Sequence, residues 1–388
     1  MGPSLRLLHF DHNATTPVDE AVAAEMLPYL TGKAGNPSSS HAWGREARVA
    51  VERARARIAR VVGARPDQVV LTSGGTEANN LAILGSARAT ESRGRHLLTT
   101  AVEHASVLGP FSRLREEGFE VEIVPVDGTG RVDPDAVRGA IRPDTILLSV
   151  MAANNETGAL QPLDEIVPLL PRGILLHCDA SQVPGKVPLG LGARNANLLT
   201  LSSHKVYGPK GAGALVVREP ARPAPLFYGG GQERDLRPGT ENVPSIVGFA
   251  VALEWASARV EEYRSRVEVP ARRLLDGLRA RIPGCRLLGP GVHERRLPNT
   301  FTLSFPVADG RALVAALDLA GILVSSGSAC ASGAPEPSHV LLAMGIAPAE
   351  ARRAIRFSLG RNVTAEDVEE AIARAVQAVE PLLSKAIS

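Results

Sequence analysis

Ile174-Leu175-Leu176-His177-Cys178-Asp179-Ala180-Ser181-Gln182 is a short apolar run that ends on a carboxylate. Further along, Asn197-Leu198-Leu199-Thr200-Leu201 repeats the pattern and ends on Ser202-Ser203-His204-Lys205. Runs this short and this apolar, without polar alternation, read as strands covered on both faces. Working outward, Val69–Thr72, His96–Thr99, Val121–Pro125 and Ile146–Val150 have the same character. Helical patterns at Glu77–Ala89, Ala105–Glu117 and Leu163–Leu170 sit between many of them, and Arg45–Val62 is a long helical pattern closed by Gly63. The alternation predicts an α/β fold with a mainly parallel sheet sandwiched by helices, whose ligands lie at the carboxyl ends of the strands.

The rhythm changes after Pro244. Ile246–Ile282 reads as one long helical stretch with Pro270 as its break. A strand (Thr300–Phe305), a helix (Gly310–Ala320), a Gly/Ser/Ala-rich loop (Ser325–Pro337), a strand (Ile355–Leu359) and an amphipathic helix (Ala365–Leu383) follow. We expect a large domain over 15–260 and a smaller α+β domain over 261–388 that also takes in residues 1–14.

Composition narrows the function. The 388 residues carry a formal charge of +2, which argues against a nucleic-acid partner. No stretch approaches the ~20 continuous apolar residues of a membrane span, and the first ten residues lack the pattern of a signal peptide. Cys178, Cys285 and Cys330 are sparse and show no paired spacing, as in a reducing, cytoplasmic setting. Lysine is scarce: only Lys33, Lys186, Lys205, Lys210 and Lys385 stand among 43 basic residues. With 29 prolines, this points to a GC-rich or thermophilic source. It also shortens the search for a catalytic amine.

Four segments carry candidate chemistry. Lys205, at a strand end beside hydroxyls and a histidine, is either a surface lysine in a turn or a Schiff-base lysine whose amine is activated by desolvation. Asp179, at a buried strand end, is either a helix cap or structural ion-pair member, or the partner of a protonated heterocyclic nitrogen. Thr72-Ser73-Gly74-Gly75-Thr76-Glu77 has a strand–turn–helix order that offers backbone N–H groups to phosphate, although Thr76 could be only an N-cap. Cys330 sits in a loop of small residues, where a reactive thiol is the better reading; Cys178 reads as structural. The scattered histidines and cysteines form no metal-binding spacing, and no GxSxG elbow marks a serine hydrolase.

The order of these segments resembles the cysteine desulfurases of the NifS/IscS type, in the class V aminotransferase group of fold-type I pyridoxal-phosphate enzymes. The motifs run from Asp11–Pro17 (D-x-x-A-T-T-P) through Gly35–Ser39, Thr72–Glu77, Glu103-His104, Asn154–Gly158, Asp179–Gln182, Ser202–Gly211, Gly229–Glu233, Arg237–Thr240 and Ser325–Cys330 to Arg356–Gly360. The resemblance implies a large domain with a seven-stranded-type sheet and a small domain bearing the cysteine loop. It implies that Lys205 holds pyridoxal 5'-phosphate, Asp179 its ring nitrogen and Gln182 its phenolic oxygen. His104 stacks on the ring and helps with proton transfer. Gly75, Thr76, Ser202 and His204 line the phosphate, which Thr240 reaches from the other protomer of a homodimer. Asn155 and Arg356 hold the L-cysteine substrate, joined by Asn36. Cys330 accepts the sulfur as a persulfide while L-alanine departs. A sulfur acceptor or scaffold protein then draws it off, with iron–sulfur cluster assembly ahead of tRNA thiolation or thiamine-type cofactors. Ser203 and Pro238 depart from the glycine and serine common in their motifs but replace no contact residue. Competing readings are a selenocysteine lyase or another aminotransferase or lyase of the same group, for which Cys330 would be unnecessary, and a non-catalytic scaffold, against which the intact Lys205, Asp179, His104 and Cys330 weigh.

Overall fold

The computed structural model describes residues 6–308, 310–326 and 337–383. Seven strands form the large sheet in the spatial order Val69–Thr72, Gly213–Val217, Leu198–Ser202, Leu175–Asp179, Thr145–Ser149, His96–Thr100 and Glu120–Val124. Only Gly213–Val217 runs against its neighbours. The others are parallel, so their carboxyl ends emerge along one edge.

Successive side chains of a strand point to opposite faces, and here each face has its own core. Leu176, Leu199 and Val216 pack with Ile58, Ile246 and Phe249. Leu175, Leu198 and Leu215 pack with Ile83, Phe111 and Leu114. Burial on both sides is why these strands read as unbroken apolar runs. The strand Gly213–Val217 was not among the expected ones. Gly208, Gly211 and Gly213 make its approach look like loop, yet a Cβ on Gly213 would lie 2.7 Å from Gly74 and 2.8 Å from the Leu201 carbonyl.

Helix boundaries differ where local chemistry intervenes. The 77–89 pattern starts earlier, at Gly75, and runs to Thr90 with a π-turn over Leu81–Gly85. The 163–170 pattern is α-helical only over Leu163–Ile166 and tightens to a 3₁₀ turn at Val167–Leu169, where Pro168 removes a donor. The stretch expected to break at Pro270 breaks instead at Arg259, into Val243–Ala258 and Val260–Arg281 with a 72° bend. The first helix is buried along most of its length. The second is amphipathic, and the chain turns where it leaves one core for the other. Pro270 lies inside the second helix. No single helix among the described residues is long and apolar enough to cross a membrane.

A second, antiparallel sheet has the order Ser325–Ser326, Ala354–Ser358, Thr300–Ser304, Arg286–Leu288. Its core gathers Phe301 stacked on Phe357 (5.1 Å between centroids) with Leu274, Leu278 and Ile372. The N-terminal strand Leu8–His9 pairs with Ile322–Leu323, and Leu8 and Phe10 are buried in the same core. The next residues cross to the large sheet. The His12 N–H donates to the Ser358 carbonyl (3.0 Å) and the Thr16 N–H to the His204 carbonyl (2.9 Å). At this crossing Gly360 makes room for the His12 ring, since a Cβ there would fall 2.1 Å from His12 Nε2 and push the ring aside.

Candidate active site

The strand ends and the crossing segment 11–16 converge. Asp179 ends its strand almost fully buried (7% exposed). Its Oδ1 accepts the Ser181 N–H (2.9 Å), and its Oδ2 accepts Asn79 Nδ2 (2.8 Å). A buried carboxylate needs such donors to remain charged.

Lys205 closes a 3₁₀ turn immediately after the neighbouring strand. Its Nζ donates to the carbonyls of Asn13 (2.5 Å) and Ala14 (2.8 Å). Burial, with Arg356 adding repulsion, pushes its amine down to about 8, against the pull of Asp179 and Asp11. That brings a free amine within reach of neutral pH. His204 is anchored through its carbonyl to Thr16 and through Nδ1 to Thr15 Oγ1 (3.2 Å). Burial, then Lys205, lowers it to about 4. It is therefore a neutral ring that can donate or accept one hydrogen bond.

A small cradle opens beside these groups. A Cβ on Gly75 would come 3.0 Å from Ser181 Oγ and 3.5 Å from Ser202 Cβ. The missing side chain thus leaves room between a helix N-terminus and two serines. Thr76 is exposed next to it. Glu77 closes the turn by accepting the Ser73 N–H (2.8 Å) and pairs with Arg237 (2.9 Å).

His104 caps the helix Ala105–Glu116, its Nδ1 accepting the Ser106 N–H (3.1 Å). The ring keeps one open face, while the protein packed on its other sides lowers its pKa. Gln182 is buried; its Nε2 donates to the Asn13 carbonyl (3.1 Å) and its Oε1 accepts Lys186 Nζ (2.5 Å). Arg356, 6% exposed, comes from the small sheet. Its guanidinium donates to Asp11 Oδ1 (2.6 Å) and the Asn155 carbonyl (3.2 Å), while its buried Nε has no partner among the described residues. A buried guanidinium N–H left unpaired suits a ligand carboxylate.

Three predicted residues are not gathered by any described contact. Asn36 is exposed and spends its Oδ1 on the Ser38 N–H of its own turn (2.9 Å). Thr240 is exposed on the loop before the helix Val243–Ala258. Cys330 lies outside the described residues. Of the other cysteines, burial raises Cys178 well above its ordinary value and Cys285 to about 12, so neither is a ready thiolate. No cluster of His, Cys, Asp and Glu among the described residues could hold a metal ion.

Sequence reasoning missed three residues here: Asn13, Lys186 and Asn79. Asn13 touches Lys205, Gln182, Lys186, the Asn155 carbonyl and Thr300 Oγ1. Its segment read as a turn and as the first of the family motifs, with no role for Asn13. Nothing local to Asp11–Pro17 signals a buried hub, because every partner is far away in the chain.

The donor set fits pyridoxal 5'-phosphate: a cradle lined by serines, a buried carboxylate for a protonated ring nitrogen and an amine of lowered pKa. Comparison with known proteins agrees. Residues 8–371 match the family model described as "Aminotransferase class-V". The chain belongs to that family, and within it to the pyridoxal-phosphate-dependent cysteine desulfurases of the IscS type. Its relatives include "Cysteine desulfurase IscS" of Dictyoglomus turgidum, 43% identical over 94% of this chain and 92% of that one. "Cysteine desulfurase" of Homo sapiens is 42% identical over 98% and 84%. Among solved structures, "NIFS-LIKE PROTEIN" superposes with a TM-score of 0.90 at 38% identity, covering 97% of this chain and all of that one.

Proposed function

We propose that this enzyme takes the sulfur of L-cysteine onto Cys330 as a persulfide and releases L-alanine. The observation that carries the reading is the meeting of Lys205, Asp179 and Arg356 around one cradle, in a chain of this family. Pyridoxal 5'-phosphate, when bound, supplies an electron sink for negative charge developing at the substrate α-carbon. Gly75, Thr76, Ser202 and His204 would hold its phosphate, Asp179 its ring nitrogen and Gln182 its phenolic oxygen, and Lys205 would be its covalent anchor.

Arg356 grips the substrate carboxylate as a fork while Asp11 keeps the guanidinium oriented, and Asn155 and Asn36 complete the subsite. With its pKa near 8, Lys205 takes the α-proton as a general base. His104 would stand beside the bound ring and assist proton transfer. The Cys330 thiolate attacks the substrate sulfur, an S–S bond forms, and the C–S bond breaks with its electron pair left on carbon. Protonation at that carbon and return of a proton to the α-carbon give alanine.

The working unit is a homodimer in which Thr240 of each copy completes the phosphate site of the other. The exposed Leu27, Leu30 and Trp43 are apolar surface that a second copy would cover. The cytoplasm suits the free, buried thiols of Cys178 and Cys285. From Cys330 the sulfur passes to an acceptor or scaffold protein, for iron–sulfur cluster assembly or other thio-cofactors. Incubating the cofactor-loaded protein with L-cysteine and a thiol reductant should yield alanine and sulfide in equal amounts. Pyruvate and ammonia in place of alanine would overturn the reading.

A further inference from the structure

His104 is tied to Asp179 through two side chains that the proposed reaction does not otherwise use. Asn79 Nδ2 donates both to Asp179 Oδ2 (2.8 Å) and to Ser106 Oγ (2.9 Å). Ser106 Oγ in turn lies 2.8 Å from His104 Nδ1. The direction of each bond follows from chemistry. A carboxylate only accepts, so Asn79 presents its NH₂ group to Asp179, and the same group faces Ser106. The Ser106 oxygen therefore accepts from Asn79, and its own proton is left for His104 Nδ1. The Ser106 backbone N–H also points at Nδ1, from 3.1 Å. Two donors converge on one nitrogen, and a proton there would face both.

We propose that Ser106 and Asn79 are positioning residues that lock His104 as the tautomer with its proton on Nε2, the nitrogen left to face the site. The value of this lock for catalysis rests on the reading of His104 as a proton-transfer group. The geometry of the lock does not. Burial, aided by Lys205, His339 and Arg356 and opposed by Asp179, lowers the His104 pKa and so favours the neutral ring that the lock requires. Which ring nitrogen carries the proton is set by the bond the other nitrogen makes. A neutral imidazole held this way can deliver a proton only from the open side. Asn79 ties that orientation to Asp179, the carboxylate that would hold the cofactor's ring nitrogen. Its buried Oδ1 has no partner among the described residues, so its NH₂ contacts are what hold it.

The test is ¹⁵N NMR of histidine-labelled protein without cofactor, with His104→Gln to assign the signal. The expected spectrum has Nδ1 of His104 unprotonated and Nε2 protonated. A proton on Nδ1 would overturn the proposal. Ser106→Ala should move the Nδ1 signal toward a tautomer mixture and lower kcat with KM little changed, by on the order of tenfold, a fraction of what general acid–base catalysis contributes. Ser106→Thr, which keeps the hydroxyl, should restore both. An unshifted signal with unchanged kcat in Ser106→Ala would also overturn it. If His104→Gln keeps full turnover while the tautomer is as stated, the assigned role of His104 fails and the lock stands.

Discussion

Lys205 and Lys186 reach Asn13 from two turns beside the large sheet, one at its carbonyl and the other at its Oδ1. Lys205 bonds backbone carbonyls and keeps an open side, with its amine pushed down to about 8. Lys186 is enclosed at 3% exposure, and among the described residues its Nζ bonds only Asn13 Oδ1 (3.1 Å) and Gln182 Oε1 (2.5 Å). Burial lowers its pKa well below the ordinary lysine value, with Lys205 and Arg356 adding to the effect. No carboxylate is among these partners, so the neutral amine is the form that can sit there. The same side chain is thus a reactive base in one turn and a brace in the other. Access and partners make the difference.

The largest effect should come from Lys205→Ala, which removes both the cofactor's covalent anchor and the base. Alanine formation from L-cysteine should fall about a thousandfold or more. Lys186→Met should leave turnover within about tenfold, since the brace touches no reacting atom, yet lose about 1–3 kcal/mol of stability in urea unfolding, because Gln182 Oε1 loses its donor and Asn13 Oδ1 keeps only the long bond from Asn299 Nδ2 (3.4 Å). A collapse of turnover in Lys186→Met with the fold intact would erase the distinction between the two turns.

Arg356→Lys sharpens the same contrast from the substrate side. It keeps a positive charge beside Asp11 but loses the fork, so KM for cysteine should rise on the order of tenfold to a hundredfold, as expected for one charge-assisted hydrogen bond. An unchanged KM would place the substrate carboxylate elsewhere.

Much of this was readable from the chain. A strand buried on both faces has to be an apolar run, so five strands of the large sheet stood out, whereas the sixth expected one, Glu120–Val124, is a largely exposed edge strand. Motif order brought Asp179, Lys205 and Arg356 together across large separations. The brace was not readable. Gly185-Lys186 looks like an exposed turn, and only the packing of Asn13 and Gln182 over it makes it buried. The bend at Arg259 was missed for a related reason. Pro270 is the stronger local signal, but the chain turns where its packing partner changes from one core to the other. Ser203, which stands where glycine is common, is accommodated from a distance: a Cβ on Gly208 would fall 2.3 Å from its Oγ.

A third buried group gives the most pH-dependent effect. Glu103 accepts Thr100 Oγ1 (2.7 Å) and the Met151 N–H (2.8 Å) on one oxygen, while its other oxygen is buried without a partner among the described residues. Burial pushes its carboxyl up to about 8. An acid raised in this way contributes its full stability below its unfolded pKa, and the contribution is lost as pH rises through about 8. Glu103→Gln imitates the protonated form at every pH. It should match the wild type in urea unfolding near about pH 5 and exceed it near about pH 9. Parallel pH profiles for the two proteins would show instead that Glu103 stays charged.

The central claim is that sulfur leaves L-cysteine through Cys330. It is tested most directly by measuring alanine formation in the wild type and in Cys330→Ala, with mass spectrometry of the alkylated protein alongside. The account predicts catalytic alanine and one added sulfur at Cys330 in the wild type. In the variant it predicts no turnover, with the cofactor absorbance still responding to cysteine. Equal turnover in the two proteins would contradict it.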